Sequence, residues 1–148
     1  MKISEYMTRD VRTISPDRSI REAAQVMSTL DLGALPVGEE DRLVGMITDR
    51  DIAVRAVAQG LDCETPIRQV MTRDVKYCFE DEFATHVADN MGEIQVRRLP
   101  VLDRSKRLVG IVALADLACG GVGTRPVNRA LAGISRQGGP RSQTPQAH

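Results

Sequence analysis

The run with the most chemistry in this chain is Gly45-Met46-Ile47-Thr48-Asp49-Arg50-Asp51. A carboxylate at Asp51 can accept hydrogen bonds from both hydroxyls of a ribose. A Thr48 hydroxyl and the free N–H groups of a helix start can donate to phosphate, which the helix dipole also favours. Arg50 adds a cationic donor beside them. The four residues Thr48-Asp49-Arg50-Asp51 also read as a capping box, with Asp where Glu or Gln is usual. The two readings are compatible, because a helix N-terminus is where phosphate binds. A second run, Gly110-Ile111-Val112-Ala113-Leu114-Ala115-Asp116, keeps the glycine and the acid but has Ala113 and Ala115 in the places of the hydroxyl and the cation.

Little else could react. Cys63, Cys78 and Cys119 are odd in number and have neither metal nor redox spacing, a pattern that suits a reducing cytoplasm. His86 reads as a surface or satisfied helical residue, and His148 is the last residue. There is no Ser/His/Asp order, Cys/His pair or metal-ligand spacing, so the sequence predicts no catalytic residue, no metal and no enzyme. Gly120-Gly121-Val122-Gly123 follows no strand and lacks a Gly-Lys-Ser/Thr end, so it reads as a loop.

The elements that must position these residues come from a repeat. Shifting the 148-residue sequence by 64 places lays Met7-Thr8-Arg9-Asp10-Val11 on Met71-Thr72-Arg73-Asp74-Val75, and Leu35-Pro36-Val37 on Leu99-Pro100-Val101. One inserted residue then moves the offset to 65, where Arg42-Leu43-Val44-Gly45 meets Arg107-Leu108-Val109-Gly110 and Asp51 meets Asp116. Two copies are too few for a solenoid.

Each copy predicts the order β-α-β-β-α. In the first, an extended piece runs from Val11 to Ile14. A helix capped by Ser19 follows, with an apolar face of Ile20, Ala23, Ala24, Met27 and Leu30. Strands at Ala34 to Val37 and Leu43 to Thr48 flank a polar turn, and a helix from Asp51 to Gln59 ends at Gly60. In the second copy the helical stripe is Phe83, Val87, Asn90, Met91 and Ile94, the strands are Leu99 to Leu102 and Leu108 to Ala113, and the closing helix is Asp116 to Cys119. The predicted fold class is therefore α/β (α+β), two such repeats packed with pseudo-two-fold symmetry. The predicted boundaries are 1–60 for the first repeat, 61–66 for a linker, 67–119 for the second repeat, and 120–148 for a C-terminal extension with a short helix at about 126–135 before a disordered tail.

Composition excludes several classes. The chain is 42% apolar but only 3% aromatic, so aliphatic side chains must fill the core. Its 20 basic and 20 acidic residues balance, yet the four arginines after Gly120 have no acid near them and the body before them carries a net −4. That body is unlike a basic nucleic-acid domain. The N-terminus carries no apolar run of a signal peptide, and no stretch nears the roughly 18 residues of a membrane span.

The ordered, duplicated segments Met7-Thr8-Arg9-Asp10-Val11, Ala34-Leu35-Pro36-Val37 and Leu43 to Asp51 resemble the CBS family, whose paired copies form a Bateman module. The resemblance covers about Met1 to Cys119, and stand-alone bacterial two-repeat proteins are the nearest kind. It implies a regulatory sensor that binds AMP, ADP or ATP, with NAD(H) or S-adenosylmethionine as further ligands, and that is read by an unidentified downstream protein. It implies a first ligand set of Thr48, Arg50, Asp51, Thr72, Val75, Lys76, Val96 and Arg97. A second, degraded set comprises Val11, Arg12, Leu32, Gly33, Arg98 and Asp116, where the lost hydroxyl and cation leave a site that is empty, weaker or suited to a nucleoside. It also implies homodimers through the helical faces around Ile52, Val54, Ala56 and Val57. Two rival readings are a nucleic-acid binder that uses the arginine tail and a structural adaptor with empty clefts. Few aromatics for base stacking weigh against the first, and the intact Gly45-Thr48-Asp51 set weighs against the second.

Overall fold

In the computed structural model, residues 1–120 and 124–135 are described, and they form the predicted mixture of helices and short strands in two repeats. The Ser19 hydroxyl oxygen accepts from the Glu22 amide at 3.2 Å, capping helix α1 (Ile20–Leu30). Helix α1 buries Ile20, Ala23 and Met27, whereas Ala24 and Leu30 of the predicted stripe are exposed. Strands β1 (Ala34–Glu39) and β2 (Arg42–Thr48) pair antiparallel. They turn through Glu40 and Asp41, both left-handed with φ of 52 and 62, as a tight hairpin requires.

Among the described residues, the extended piece predicted at Val11 to Ile14 makes only one bridge, Ile14 parallel to Val37. Pro16, two residues on, has no N–H to lengthen a ladder. The helix predicted from Asp51 to Gln59 is composite. It starts as α2 (Asp49–Asp51), widens to a π-helix over Ile52–Ala56, and tightens to a 3-10 turn at Val57–Gln59 before Gly60 at φ 77.

In the second repeat, β3 (Cys78–Phe79) runs parallel to β4 (Arg98–Leu102), which pairs antiparallel with β5 (Leu108–Ala113). Helix α3 (Ala84–Glu93) buries Ala84, Val87, Ala88, Met91 and Gly92. Phe83, expected in that stripe, stands at the N-cap and is 61% exposed; Ala84, one place on, takes the inward position. Helix α4 (Leu114–Cys119) follows β5, and α5 (Thr124–Ser135) begins two residues before the helix predicted there. Residues 121–123 of the glycine-rich loop and the 136–148 tail lie outside the described residues.

The compact units do not follow the repeat boundaries. One unit is Val11–Val75; the other joins Met1–Asp10 to the chain from Lys76 onward. The reason is burial and backbone pairing. Ile67, Val70 and Met71, at the opening of the second copy, sit in a core with Ile20, Leu35, Val37 and Ile47. The Met46 amide donates to the Thr72 carbonyl at 3.0 Å, and the Thr72 amide donates back at 2.8 Å. In the other unit Ile3 and Met7 join Val87, Met91, Leu99 and Val112, and Thr8 exchanges the same pair of bonds with Ile111. The predicted linker is also structural: the Thr65 and Cys63 carbonyls accept from the Ile20 and Arg21 amides at the start of α1.

Glycine makes both crossings possible. A Cβ on Gly45 would come within 2.6 Å of the Met71 sulfur and 2.9 Å of the Thr72 carbonyl oxygen. On Gly110 it would meet the Met7 sulfur at 2.7 Å and the Thr8 carbonyl at 2.8 Å.

In the discontinuous unit, α5 packs on α3 through Gly92, Ala130 and Gly133, with Ala130 buried and the Arg129 guanidinium paired to Asp89. Gln95 is buried at the end of α3 and donates to the Gly133 carbonyl at 2.7 Å. Burial in β3, with Glu82 adding a smaller repulsion, pushes the Cys78 thiol up to about 12.

Candidate functional site

Strand β2 ends at Thr48 and the chain turns directly into α2, so the helix start is held at the edge of the hairpin. The box foreseen in the sequence is present in both directions. The Thr48 hydroxyl oxygen accepts from the Asp51 amide at 3.0 Å, and Asp51 Oδ2 accepts from the Thr48 amide at 3.0 Å. Asp51 is only 8% exposed, and its other oxygen, Oδ1, lies 3.7 Å from Arg55 Nε. The Thr48 hydroxyl keeps its own proton to donate, since it acts as acceptor in the box. One side of the loop is closed by the Asp49 amide, which donates to the Gly33 carbonyl at 3.0 Å. Arg50 is exposed, with its amide on Asp49 Oδ1 at 2.8 Å.

Thr72 lies across from Met46, two residues before Thr48. Its hydroxyl oxygen is buried and has no hydrogen-bond partner among the described residues. Buried hydroxyls are rarely left so in native proteins, because the group loses its water without recompense. Val75 is half-buried, and its amide donates to the Arg73 carbonyl.

Within the unit Val11–Val75 the chain thus holds Thr48, Arg50, Asp51, Thr72 and Val75 of the first assigned set. Lys76, Val96 and Arg97 of that set belong to the other unit. There the Arg97 carbonyl accepts from Leu114, and Val96 is half-buried with its amide on the Met91 carbonyl. Of the second set, Val11, Arg12, Leu32 and Gly33 belong to Val11–Val75, while Arg98 and Asp116 belong to the other unit. Arg98 opens β4 opposite Ala113.

Asp116 repeats half of the first loop: its Oδ2 accepts from the Ala113 amide at 2.9 Å, but Ala113 has no hydroxyl to answer the Asp116 amide. Asp116 is also less buried than Asp51. Arg55 was not singled out by the sequence, although its spacing of four residues from Asp51 on one helix was a signal for it. Among the described residues no group of three His, Cys, Asp or Glu could hold a metal ion, and no helix is long and apolar enough to cross a membrane.

Two glycine-crossed hairpins, each followed by a helix with an acid on its first turn, define a tandem pair of hairpin–helix repeats. The CBS domain profile matches residues 3–57 and 67–119, and the chain belongs to that family. It is 42% identical over 135 residues to the CBS domain-containing protein YhcV of Bacillus subtilis, covering 91% of this chain and 96% of that one. It is 40% identical over 116 residues to hypoxic response protein 1 of Mycobacterium tuberculosis, covering 77% and 80% of the two chains. Among solved structures, the CBS domain pair of protein MJ0100 in complex with 5-methylthioadenosine and S-adenosyl-L-methionine aligns with a TM-score of 0.74 and 34% identity, over 83% of this chain and 98% of that one.

Proposed function

We propose that this chain is a regulatory module that binds an adenosyl ligand and reports its level to a protein partner. The ligand binds where the Thr48–Asp51 loop of the first copy approaches the opening of the second copy at Thr72–Val75. Asp51 accepts the ribose hydroxyls, and Thr48 with Arg50 donates to phosphate. The observation that carries this reading is the buried hydroxyl of Thr72, unpartnered among the described residues, beside a strand that leads into the helix turn bearing the buried Asp51 carboxylate. The ligand complex of MJ0100 supports an adenosyl group and brings S-adenosylmethionine and methylthioadenosine beside AMP, ADP, ATP and NAD(H) as candidates. No chemistry on the ligand is proposed. A cytoplasmic site of action and a homodimer joined through Val54 and Val57 complete the proposal; these side chains are 42% and 68% exposed, while Ala56 is buried.

The test is a thermal-shift and calorimetric series with AMP, ADP, ATP, NADH, S-adenosylmethionine, methylthioadenosine and a short DNA duplex. An adenosyl ligand at 100 times its Kd adds about 2.7 kcal/mol of stability. Hydrogen exchange then slows at Thr48–Asp51 and at Thr72–Val75, and protection at Val96–Arg97 would add those residues to the ligand set. A shift with DNA alone, or with no adenosyl compound at millimolar concentration, overturns the proposal.

A further inference from the structure

We propose that Arg55 is a positioning residue that ties the Asp51 carboxylate to the opening turn of the second copy, so that the state of Asp51 is felt in the backbone of Val70–Thr72. Any link to a ligand rests on the reading above; the tie itself does not. One guanidinium makes all three contacts. Arg55 Nε faces Asp51 Oδ1 at 3.7 Å, and Nη1 donates to the Val70 and Met71 carbonyls, both at 3.4 Å. A planar fork of five N–H donors suits one carboxylate and two carbonyls at once, which a lysine ammonium serves poorly.

The two carbonyls are not arbitrary acceptors. They follow the 3-10 turn Ile67–Gln69, where helix-end carbonyls lack partners in their own turn. The next residue, Thr72, exchanges both backbone bonds with Met46. Asp51, Arg55, Val70–Met71, Thr72 and Met46 therefore form a closed ring that returns to the strand ending at Thr48.

Arg55 also stands inside the π-helix Ile52–Ala56. Wide turns of this kind are rare and occur often at functional positions. The equivalent place in the second copy is Gly120, after the regular helix α4, and a Cβ there would run into the ring of Tyr6. The discontinuous unit thus has an aromatic ring where this unit has a cation. Arg55 is half-exposed and its contacts are long, so the tie is weak enough to be broken by a competing partner of Asp51.

The test is amide exchange by NMR on ligand-free protein, for Asp51→Asn, Arg55→Gln, the double variant and Arg55→Lys. Each single variant is expected to speed exchange of the Met71 and Thr72 amides by about three- to tenfold. The double variant should be no faster than either single, and Arg55→Lys should recover part of the protection. Additive effects, or Arg55→Gln rates within about twofold of wild type, overturn the tie. AMP is the probe for the ligand. If it fails to bind the wild type, the functional reading loses that ligand, while the ligand-free cycle still decides the tie.

Discussion

The two compact units descend from one pattern and have diverged in opposite directions. The unit Val11–Val75 keeps a polar, charged loop at Thr48–Asp51 and leaves the outer face of α1 open, with Ala24 and Ser28 exposed. The other unit has the apolar Ala113-Leu114-Ala115 before its acid and covers the matching face, so that Ala88 and Gly92 are buried beneath α5. The helix ends follow suit. Asp31 and Gln95 both turn left-handed, at φ 54 and 57, but Asp31 is exposed and Gln95 is buried with its amide on Gly133. Duplication supplied two equal scaffolds; one retained polar groups that a ligand could use, and the other put its sequence into packing.

The sharpest way to break this comparison is a side chain on the covered face. A Cβ at Gly92 lies 2.8 Å from the Ala130 Cα, so Gly92→Val is expected to cost about 3 kcal/mol through lost α3–α5 packing. Ser28→Val, at the equivalent exposed place, should stay within about 0.5 kcal/mol. Urea unfolding of both variants decides whether the faces differ as described.

Next in size is the ligand. Asp51→Ala should weaken adenosyl-ligand binding by about 2–3 kcal/mol, or roughly 30- to 150-fold. Asp116→Ala should do less, because Ala113 and Ala115 accompany that acid where Thr48 and Arg50 accompany the other. Calorimetry on folded variants reads this directly, and a larger loss at Asp116 would reverse the roles of the two loops.

A smaller effect belongs to the box. Thr48→Ala removes the acceptor for the Asp51 amide and should cost about 1 kcal/mol, reducing this loop to the one-sided state of Ala113 and Asp116. Ala113→Thr should return about half of that to the other unit.

The smallest is a pH effect confined to one unit. Cys78 is raised from 9.0 to about 12 by burial, whereas its counterpart is Ile14. Between those values the unfolded thiol ionises and the folded one does not, so the unfolded state binds fewer protons and stability falls as pH rises. The contribution is intact below pH 9 and is lost progressively toward 12. At pH 9.5 the loss is of order 0.5–1 kcal/mol. Cys78→Val should flatten the fall in stability between pH 8 and 9.5 by about that amount.

Much of this was readable from the residues. The hairpins show as apolar runs around polar turns and the first helix as a period-3.6 pattern, and Ser19 and the Thr48–Asp51 box are written in side chains that act locally. What was not readable rests on backbone and on small residues. The Met46–Thr72 and Thr8–Ile111 pairs are main-chain bonds that any residue could make, so the exchange of opening segments left no side-chain signature beyond two glycines. Gly92 and Gly133 look like interruptions in a sequence, yet they are where α5 meets α3. Phe83 misled because its spacing of four from Val87 placed it on the stripe, when the helix begins only at Ala84 and Phe83 stands at its N-cap. The π-helix carries no composition of its own, and Arg55 is marked in the sequence by nothing but its spacing of four residues from Asp51.

The exchange of opening segments sets a timetable for synthesis. Val11–Val75 is one uninterrupted stretch and can close soon after Thr72 clears the ribosome. The other unit needs Met1–Asp10, made before that stretch, and Ile111, made about 100 residues after Thr8. At roughly 5–20 residues per second, Ile3 and Met7 wait some 5–20 seconds for the strands that will bury them. Residues 1–10 therefore wait for the core of their own unit while the Val11–Val75 unit forms behind them, and the crossing at Thr8 closes only when Ile111 arrives.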